Sequence, residues 1–531
     1  MNLIQKVRNF LKDNKIDYLL VNSTNEFLVE YSDLSENSRY FLTNFSGSTG
    51  DAVISQKEIL LFVDGRYHEQ ADQEVDPKLV TVVKMKLGES IYKHLGKKIK
   101  KNKTFAIASK KNSQGRLEII KSTFKNKNIV LKLLDFDPIE GNKLEEKGKK
   151  KFSEISTEIT GLSSDEKIKR ITDNLEKNEA ILTTNLEEVS YLFNLRDFSK
   201  NYSSKIEAKC LITKEFGGKL LDSSNFETTI QNLNNIDTIF VDKTSVTAYD
   251  YNLLGEKAAN LKENLIKEMK SVKTPSEIEH YKKSFERTDK ALLATREFIE
   301  QTENASEYDI AKNLEENFYK FGAKSLSFKS IVAKDQNSAL AHYTKNSKTE
   351  ILTEGSLVLI DCGAYYEGGY ATDCTRVFVK GEPSNLQKQV YTTVLKGFLK
   401  AFNKRITLTT SGFSLDKAAR TVLEINKPKG FEFSHSLGHG IGISVHESPP
   451  TLAFSPTAKT PFKVNMCFTI EPGLYKKGFG GVRLENSCYM SEEDGQRIIK
   501  SFSNMCFEKK LIDFKLLTPT EKKQLKKFEV K

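Results

Sequence analysis

The stretch SLVLIDCGAYYEGGYATDCTRVFV, residues 356–379, has the pattern of a β-hairpin and decides the fold of the second half of the chain. Its first apolar strand ends at Asp361, a Gly-Gly turn follows, and Asp373 opens the return strand. Cys362 and Cys374 adjoin these acids, but alternation along a strand turns them to the opposite face, as small core residues. The stretch therefore predicts a hairpin that carries one carboxylate on each strand.

A second hairpin pattern, MCFTIEPGLYKKGFGGVRLENSCYM at 466–490, repeats this arrangement. Glu471 closes its first apolar strand just before a Pro-Gly pair, and Glu485 lies on the next strand. Any one of these acids could be an exposed residue beside a turn. Four of them embedded in apolar strands would repel one another when buried, unless cations neutralise them. The two matching hairpins therefore predict a metal site.

Histidines are concentrated in FEFSHSLGHGIGISVHESPP, residues 431–450, which contains His435, His439 and His446. Glycines on both sides of His439 make a helix unfavourable there and let the backbone and a ligand approach closely. On an extended strand, His435 and His439 would face the same side. We interpret His439 as a fifth ligand beside the four acids.

Four carboxylates and one imidazole make an oxygen-rich ligand set. This set suits Mn2+, and also Co2+, Fe2+ or Zn2+, better than it suits a zinc site built from thiolates. Because carboxylates can bridge two ions, five side chains are enough for two divalent metals. Such a pair of metals activates water near neutral pH, while a neighbouring carboxylate takes the proton.

The composition limits where the protein works and what it binds. A chain of 531 residues is too long for one hydrophobic core, so two to four domains are expected. No apolar run reaches the ~18 to 20 residues of a membrane span, and the N-terminus lacks the features of a secretory signal. The six cysteines without CxxC spacing favour a reducing compartment, so we predict a cytoplasmic protein without membrane association. The net charge of +11 could indicate nucleic acid, but the lysine runs lack interleaved aromatics, which favours a solvated surface and no nucleic acid partner.

Local patterns divide the chain into three blocks. The first two alternate helical and strand-like segments and are joined by a polar linker at 136–165, whereas the third turns to hairpins. The third block begins with a predicted helix, because Thr274, Pro275 and Glu277 have the pattern of an N-cap, a first turn and a capping box. The pattern predicts an α/β and α+β multidomain protein. The predicted domains are 1–145, 146–270 and 271–531.

Several of these motifs resemble a known family. DCGAYYEGGYATDCTRVF, SLGHGIGISVHESP, IEPG and GVRLEN resemble the metal signature of the pita-bread (M24) metallopeptidases. AHYT at 341–344 resembles the substrate-binding histidine and tyrosine of the proline-specific branch. EYSDLSENSRYFLTNFSGSTGDAVI, LLFVDGRYHEQAD and VSYLFNLRDFSKN are similar to the first two domains of the three-domain cytosolic Xaa-Pro aminopeptidases (aminopeptidase P). The resemblance implies two creatinase-like N-terminal α/β domains followed by a C-terminal pita-bread metallopeptidase domain.

The same resemblance implies a role for each motif residue. The implied metal ligands are Asp361, Asp373, His439, Glu471 and Glu485. The implied catalytic residues are Glu471, as the proton shuttle, with His342 and His446. The implied substrate-binding residues are Arg66, His342, His435, His446 and Arg483. Arg66 would reach the site of the neighbouring subunit in a homodimer, or else pair with a nearby acid and serve only packing.

The function implied is that of a dinuclear-metal aminopeptidase, which hydrolyses the bond between an N-terminal residue and a following proline in peptides by a metal-bridged hydroxide. Two divalent ions are implied, Mn2+ first, with Co2+, Fe2+ and Zn2+ left open. A Xaa-Pro dipeptidase (prolidase), a methionine aminopeptidase and a non-catalytic histone-binding or chaperone-type relative remain as alternatives. The two N-terminal blocks and the DGRY motif favour the aminopeptidase, and the complete ligand set favours an enzyme. The Asp361 to Asp373 spacing is one residue longer than is usual in the family.

Overall fold

The computed structural model describes residues 2–31, 33–86, 88–139 and 152–528. The chain forms two compact units. The first comprises Met1–Lys150, Ser164–Leu192 and Ile206–Leu265, and the second comprises Lys151–Ser163, Phe193–Lys205 and Ile266–Lys531. The predicted boundary near 145 and part of the predicted linker, 140–151, lie outside the described residues. The three-domain division therefore stays a prediction.

The first unit contains a sheet of six strands that carries the N-terminal part of the chain. Its strands are β1 (Tyr18–Val21), β2 (Asp51–Ser55), β3 (Ile59–Val63), β4 (Val80–Lys84), β5 (Thr104–Ala108) and β6 (Val130–Leu134). They are arranged in the order β4-β3-β2-β1-β5-β6, and only β2 is antiparallel to its neighbours. The helices of this region are α1 (Leu3–Asp13), α2 (Ser38–Thr43), α3 (His68–Glu74), α4 (Ile91–Lys98) and α5 (Gln114–Phe124). The continuous apolar run of β3 is buried along its whole length, as expected for a strand inside such a sheet.

The same unit contains a second sheet, of five strands. These are β8 (Glu179–Thr183), β10 (Lys209–Thr213), β11 (Gly217–Leu221), β12 (Thr238–Val241) and β13 (Ala258–Asn260), in the order β11-β10-β8-β12-β13. Its helices are α7 (Ser164–Thr172), α8 (Leu186–Leu192), α9 (Phe226–Gln231) and α10 (Ala248–Leu254). The strand-like segments predicted in the first two blocks are confirmed, among them YLLV in β1, TFAIA in β5, EAILT in β8, KCLIT in β10 and TIFV in β12. Their apolar runs carry a strong local signal.

The second unit is built on an antiparallel sheet that holds both predicted hairpins. Its strands are β15 (Ile331–Lys334), β16 (Leu357–Cys362), β18 (Cys374–Val379), β24 (Glu485–Glu493) and β21 (Cys467–Ile470), with β25 (Gln496–Ser501) paired to β24. Shorter strands are β7 (Ser153–Glu154), β9 (Leu195–Arg196), β14 (Ser325–Leu326), β17 (Ala364–Tyr365), β19 (Gly438–His439), β20 (Thr451–Leu452), β22 (Gly473–Lys476) and β23 (Gly480–Arg483). The remaining helices are α6 (Thr157–Thr160), α11 (Leu265–Ser271), α12 (Pro275–Gln301), α13 (Glu307–Lys320), α14 (Asn385–Phe402), α15 (Gly412–Asn426) and α16 (Pro519–Leu525). Cys362 and Cys374 are fully buried in the core, as expected.

Helix α12 begins where the capping pattern predicted. The Thr274 hydroxyl accepts a hydrogen bond from the Glu277 amide at 3.1 Å, and the Glu277 carboxylate accepts one from the Thr274 amide at 2.7 Å. Further along the helix, the Thr288 hydroxyl lies 2.8 Å from the hydroxyl of Thr372, which directly precedes Asp373. The helix therefore supports the return strand of the first acidic hairpin from behind.

The second acidic hairpin differs from the simple pattern expected. The strands β22 and β23 form a small separate hairpin between Glu471 and Glu485, so these two acids do not lie on adjacent arms of one turn. Two long helices, α14 and α15, also occupy the region from 350 onward that was predicted as strands and hairpins. Among the described residues, we find no helix whose length and apolar character would let it span a bilayer.

Candidate metal centre

The strand register brings the four acids to one end of the antiparallel sheet. Asp361 on β16 lies opposite Thr375 on β18, and Thr375 lies opposite Glu485 on β24. Asp373 directly precedes β18, and Glu471 directly follows β21, which is paired to β24. The acids are far apart in sequence, so their proximity is a product of strand pairing.

In three of these carboxylates, one oxygen lies near a polar partner and the other oxygen has no hydrogen-bond donor within the described ranges of the chain. Asp361 Oδ2 accepts from Arg483 at 2.6 Å, and Glu485 Oε2 accepts from the Thr375 hydroxyl at 2.7 Å. Asp361 Oδ1, Asp373 Oδ1 and Glu485 Oε1 are buried and find no hydrogen-bond donor among the described residues. A buried carboxylate oxygen without a donor is costly, so three together indicate a place for cations.

The mutual repulsion of the acids is visible in their proton affinities. Burial and the charge of Glu485 raise the pKa of Glu471 to about 8. Burial and the charge of Asp361 raise the pKa of Asp373 well above its usual value, and burial and Asp373 do the same to the pKa of Glu485. Burial and like charges therefore oppose the ionisation of these acids unless cations neutralise the charge.

His439 is oriented toward these acids. Its Nδ1 lies 3.0 Å from the Gly440 carbonyl oxygen, so this nitrogen carries the proton and donates it to the carbonyl. Its Nε2 lies 3.5 Å from Asp373 and 3.6 Å from Glu471. Ligand atoms of Asp373, His439 and Glu485 all lie within 4.8 Å of one another, which is compatible with a shared ion. A fixed Nδ1 proton with a free Nε2 is the usual arrangement for a metal-binding histidine.

The glycines around His439 are required by close backbone contacts. A Cβ on Gly438 would lie 2.1 Å from the Thr469 carbonyl oxygen, and one on Gly440 would lie 2.0 Å from that of Glu447. Only the two residues of β19 form a strand here, so the histidine stretch is a folded loop and not the long extended strand that we expected. His435 and His439 nevertheless face the same acid, since His435 Nδ1 lies 3.9 Å from Glu471.

Arg483 and His435 are joined through a residue that sequence reasoning missed. The Tyr475 hydroxyl accepts from Arg483 Nη1 at 2.7 Å and lies 2.8 Å from His435 Nε2, to which it can donate. Burial raises the pKa of Tyr475 to about 12, so the phenol keeps its proton. The chain of contacts continues from Arg483 to Asp361 and so links a predicted substrate residue to a predicted ligand. Tyr475 lies two residues after the IEPG motif, which was the available signal.

The other predicted histidines lie in the same unit. The ring of His446 packs edge-on against that of His439, with 4.3 Å between the ring centroids. His342 is half-buried in the segment after the short 3-10 helix Asp335–Ala339, next to Tyr343, whose hydroxyl donates to Glu307 at 2.7 Å. The contact of His446 with His439 is therefore visible, whereas the predicted role of His342 stays a prediction.

Arg66 lies in the first unit and not among the residues of the acidic centre. Its guanidinium donates to Asp64 through Nε at 2.9 Å and through Nη2 at 2.8 Å, and to the Thr49 hydroxyl at 3.0 Å. This bidentate pair is the packing alternative considered above. The role of Arg66 in substrate binding stays a prediction.

Comparison with known proteins places the chain in a class. Residues 279–492 match metallopeptidase family M24, and residues 4–140 match the Creatinase/Prolidase N-terminal domain. Residues 279–492 therefore form an M24 metallopeptidase domain, and this domain together with the creatinase-type N-terminal region confirms the predicted fold class. The matched domain is that of a metallopeptidase, as the resemblance of the motifs implied.

Two kinds of relative refine this class. Xaa-Pro aminopeptidase 1 of Dictyostelium discoideum is 28% identical over an alignment of 576 positions, which covers 98% of this chain and 90% of the relative. X-prolyl aminopeptidase from Caenorhabditis elegans, a cytosolic enzyme with a di-nuclear active site, superimposes with a TM-score of 0.90 at 20% identity, covering 99% of this chain and 95% of that one. Aminopeptidase P from E. coli gives a TM-score of 0.51 at 18% identity and covers 71% of this chain and 99% of its own. The two structures show a shared fold.

Proposed function

We propose that this protein is a Xaa-Pro aminopeptidase, which removes the N-terminal residue from peptides that have proline in the second position. The observation that carries the proposal is the convergence of four acids and His439 at one sheet end, with three buried carboxylate oxygens that lack a donor in the described part of the chain. The full-length similarity to an enzyme named Xaa-Pro aminopeptidase 1 supports the choice of substrate class.

The chemistry of the donor set fits two divalent metal ions, and we propose Mn2+ first. The proposed ligands are Asp361, Asp373, His439, Glu471 and Glu485. Carboxylate oxygens and one imidazole suit Mn2+, Co2+, Fe2+ or Zn2+, and bridging carboxylates hold two ions with few side chains. Bound there, such ions would supply Lewis acidity toward the scissile carbonyl and would acidify water. The identity of the nucleophile stays a prediction.

Glu471 is the proposed carrier of the proton. It lies beside His435 and His439, and a carboxylate held in such a position can exchange protons as a general base. It would take a proton from the attacking water and deliver it to the proline nitrogen of the departing product. That nitrogen would otherwise leave as a strongly basic anion, so a proton must be delivered to it as the bond breaks.

The proposed substrate-binding residues of the second unit are His342, His435, His446 and Arg483. His435 and Arg483 are held by Tyr475, which fixes their orientation before any peptide binds. His446 is held by its contact with His439, and His342 precedes the buried Tyr343. Because proline has no N–H to recognise, we expect these groups to bind peptide oxygens while the shape of the pocket selects the ring.

A peptide series tests the proposal. With Mn2+ added, the protein should release free alanine from Ala-Pro-containing tripeptides and longer peptides, and much less from the matched Ala-Ala peptides. Product analysis by mass spectrometry identifies the bond that is cut. Cleavage restricted to the dipeptide Ala-Pro would assign the dipeptidase alternative instead, and no cleavage of any peptide by metal-loaded protein would assign the non-catalytic alternative.

A pair of variants tests the predicted role of Arg66. If its guanidinium grips the peptide, Arg66→Ala should raise KM several-fold, while metal content and melting temperature change little. Asp64→Asn is the matched control, because it breaks the same ion pair but leaves the guanidinium in place. Equal small losses of stability in both variants with unchanged KM would assign Arg66 to packing.

We further propose, with the C. elegans enzyme as the supporting comparison, that the protein acts in the cytoplasm. A homodimer, in which the N-terminal region contributes to the partner's site, is also proposed. Sedimentation analysis at micromolar concentration measures directly whether the protein is a dimer.

A further inference from the structure

The loop that presents His439 and His446 closes around one buried carboxylate, Glu447. The Glu447 side chain is 1% exposed, accepts a hydrogen bond from Lys273 Nζ at 2.6 Å and lies 3.2 Å from Lys270 Nζ. It also accepts from the backbone amide of Ile443 at 2.8 Å. Both lysine side chains are 3% exposed, so three charges are buried together beneath the histidine loop.

Burying three charges together costs free energy, so the contacts between them must compensate for the lost hydration. An ion taken out of water is destabilising unless partners compensate it, and removal of one partner leaves an uncompensated charge. Lys270 lies in the last turn of α11, and Lys273 follows the end of this helix. Lys273 is 174 residues away from Glu447 in the sequence, so the pair is formed only by the folded chain. Gly442 leaves space for the carboxylate, since a Cβ there would lie 2.0 Å from it.

Glu447 is connected to His439 through a single carbonyl group. The Gly440 carbonyl oxygen accepts from the Glu447 amide at 2.9 Å and from His439 Nδ1 at 3.0 Å. Because this oxygen accepts the hydrogen bond from protonated Nδ1, it sets which nitrogen of His439 faces Asp373 and Glu471. Any shift of Glu447 therefore moves the acceptor that orients the imidazole.

We infer that Glu447, anchored by Lys270 and Lys273, is a positioning residue. It fixes the tautomer and orientation of the His439 ring and the position of His446. The inference rests on the proposed function, because it concerns the metal affinity of that site. Residues that support a metal-binding histidine from behind typically alter metal affinity or activity by about 10- to 100-fold when changed. The alternative is that the cluster only stabilises the fold.

The decisive variant is Glu447→Gln, which keeps an acceptor for the Ile443 amide but removes the charge between the two lysines. Mn2+ affinity is measured by competition with a chelator, beside kcat, KM and the melting temperature. We expect Mn2+ binding about 10- to 100-fold weaker and a lower kcat, with part of the loss restored in Glu447→Gln/Lys273→Met, which has the net charge of the parent cluster.

Asp250→Asn is the matched control, because Asp250 is also buried and paired with a lysine, Lys209 at 2.7 Å, but lies in the first unit. It should lower the melting temperature without changing Mn2+ affinity. Parent-like affinity in Glu447→Gln, or an equal loss in both variants, overturns the inference. Should Glu447→Gln fail to fold, the single variant Lys273→Met is tested by the same measurements of Mn2+ affinity, kcat, KM and melting temperature. A parent protein that binds no Mn2+ overturns the proposed function itself, which separates the two failures.

Discussion

Glu471→Gln should lower kcat on an X-Pro peptide by about 100- to 10,000-fold, the range that general acid–base groups contribute. The amide has nearly the same shape as the carboxylate but cannot accept a proton from water or return one to the proline nitrogen. Melting temperature and circular dichroism should stay near those of the parent. Steady-state kinetics with saturating Mn2+ measures the effect.

A control variant separates proton transfer from a general change of charge. Glu432→Gln alters an acid that lies close to His435 in sequence but is 71% exposed and paired with Lys427, so its kinetics should match the parent. His439→Ala should instead lower metal occupancy, because it removes a proposed ligand. If Glu471→Gln turned over at the parent rate, the proposed role of this carboxylate would be wrong.

Removal of metal should abolish activity and lower the melting temperature, and Mn2+ or Co2+ should restore both. An ion that binds only the folded protein stabilises it by about 2.7 kcal/mol at a free concentration of 100 times its Kd. Elemental analysis of the stripped protein, before and after Mn2+ is added back, confirms the metal content of each sample. Full activity in a sample shown to be free of metal would contradict the two-metal proposal.

The stripped protein should also become less stable as the pH rises. Glu471 has its pKa raised from the ordinary 4.5 to about 8, so between these values the folded protein binds more protons than the unfolded chain. The free energy of unfolding therefore falls with increasing pH across this window. Melting curves at pH 6 and pH 8 measure this, and added Mn2+ should shrink the difference, because the cations take over the role of the protons.

Local sequence was sufficient for many of the elements. The capping box at Thr274 and Glu277 predicted the start of α12, since a cap depends only on residues within one helical turn. The apolar runs predicted the central strands, because continuous burial needs continuous apolar residues. The acidic residues at the ends of two apolar strands predicted a cation site, because desolvated carboxylates cannot be stable together without neutralisation.

Other features depend on contacts between distant parts of the chain. The motif before Tyr475 does not reveal its role, because its hydroxyl contacts His435, which lies 40 residues earlier. The pairing of Lys273 with Glu447 also could not be predicted from the sequence around either residue. Each charged side chain, taken by itself, would be expected to be exposed to solvent.

What the sequence by itself determined is therefore the kind of site: an oxygen-rich metal centre on a hairpin scaffold, with a histidine in a glycine-rich stretch. The tertiary structure decided how that site is held, through the register that places Thr375 between Asp361 and Glu485, and through the loop around Glu447. The physical reason is that ligand chemistry depends on the residue type, which the sequence states directly. Orientation depends on hydrogen bonds and buried charges whose partners are brought together only by the folded chain.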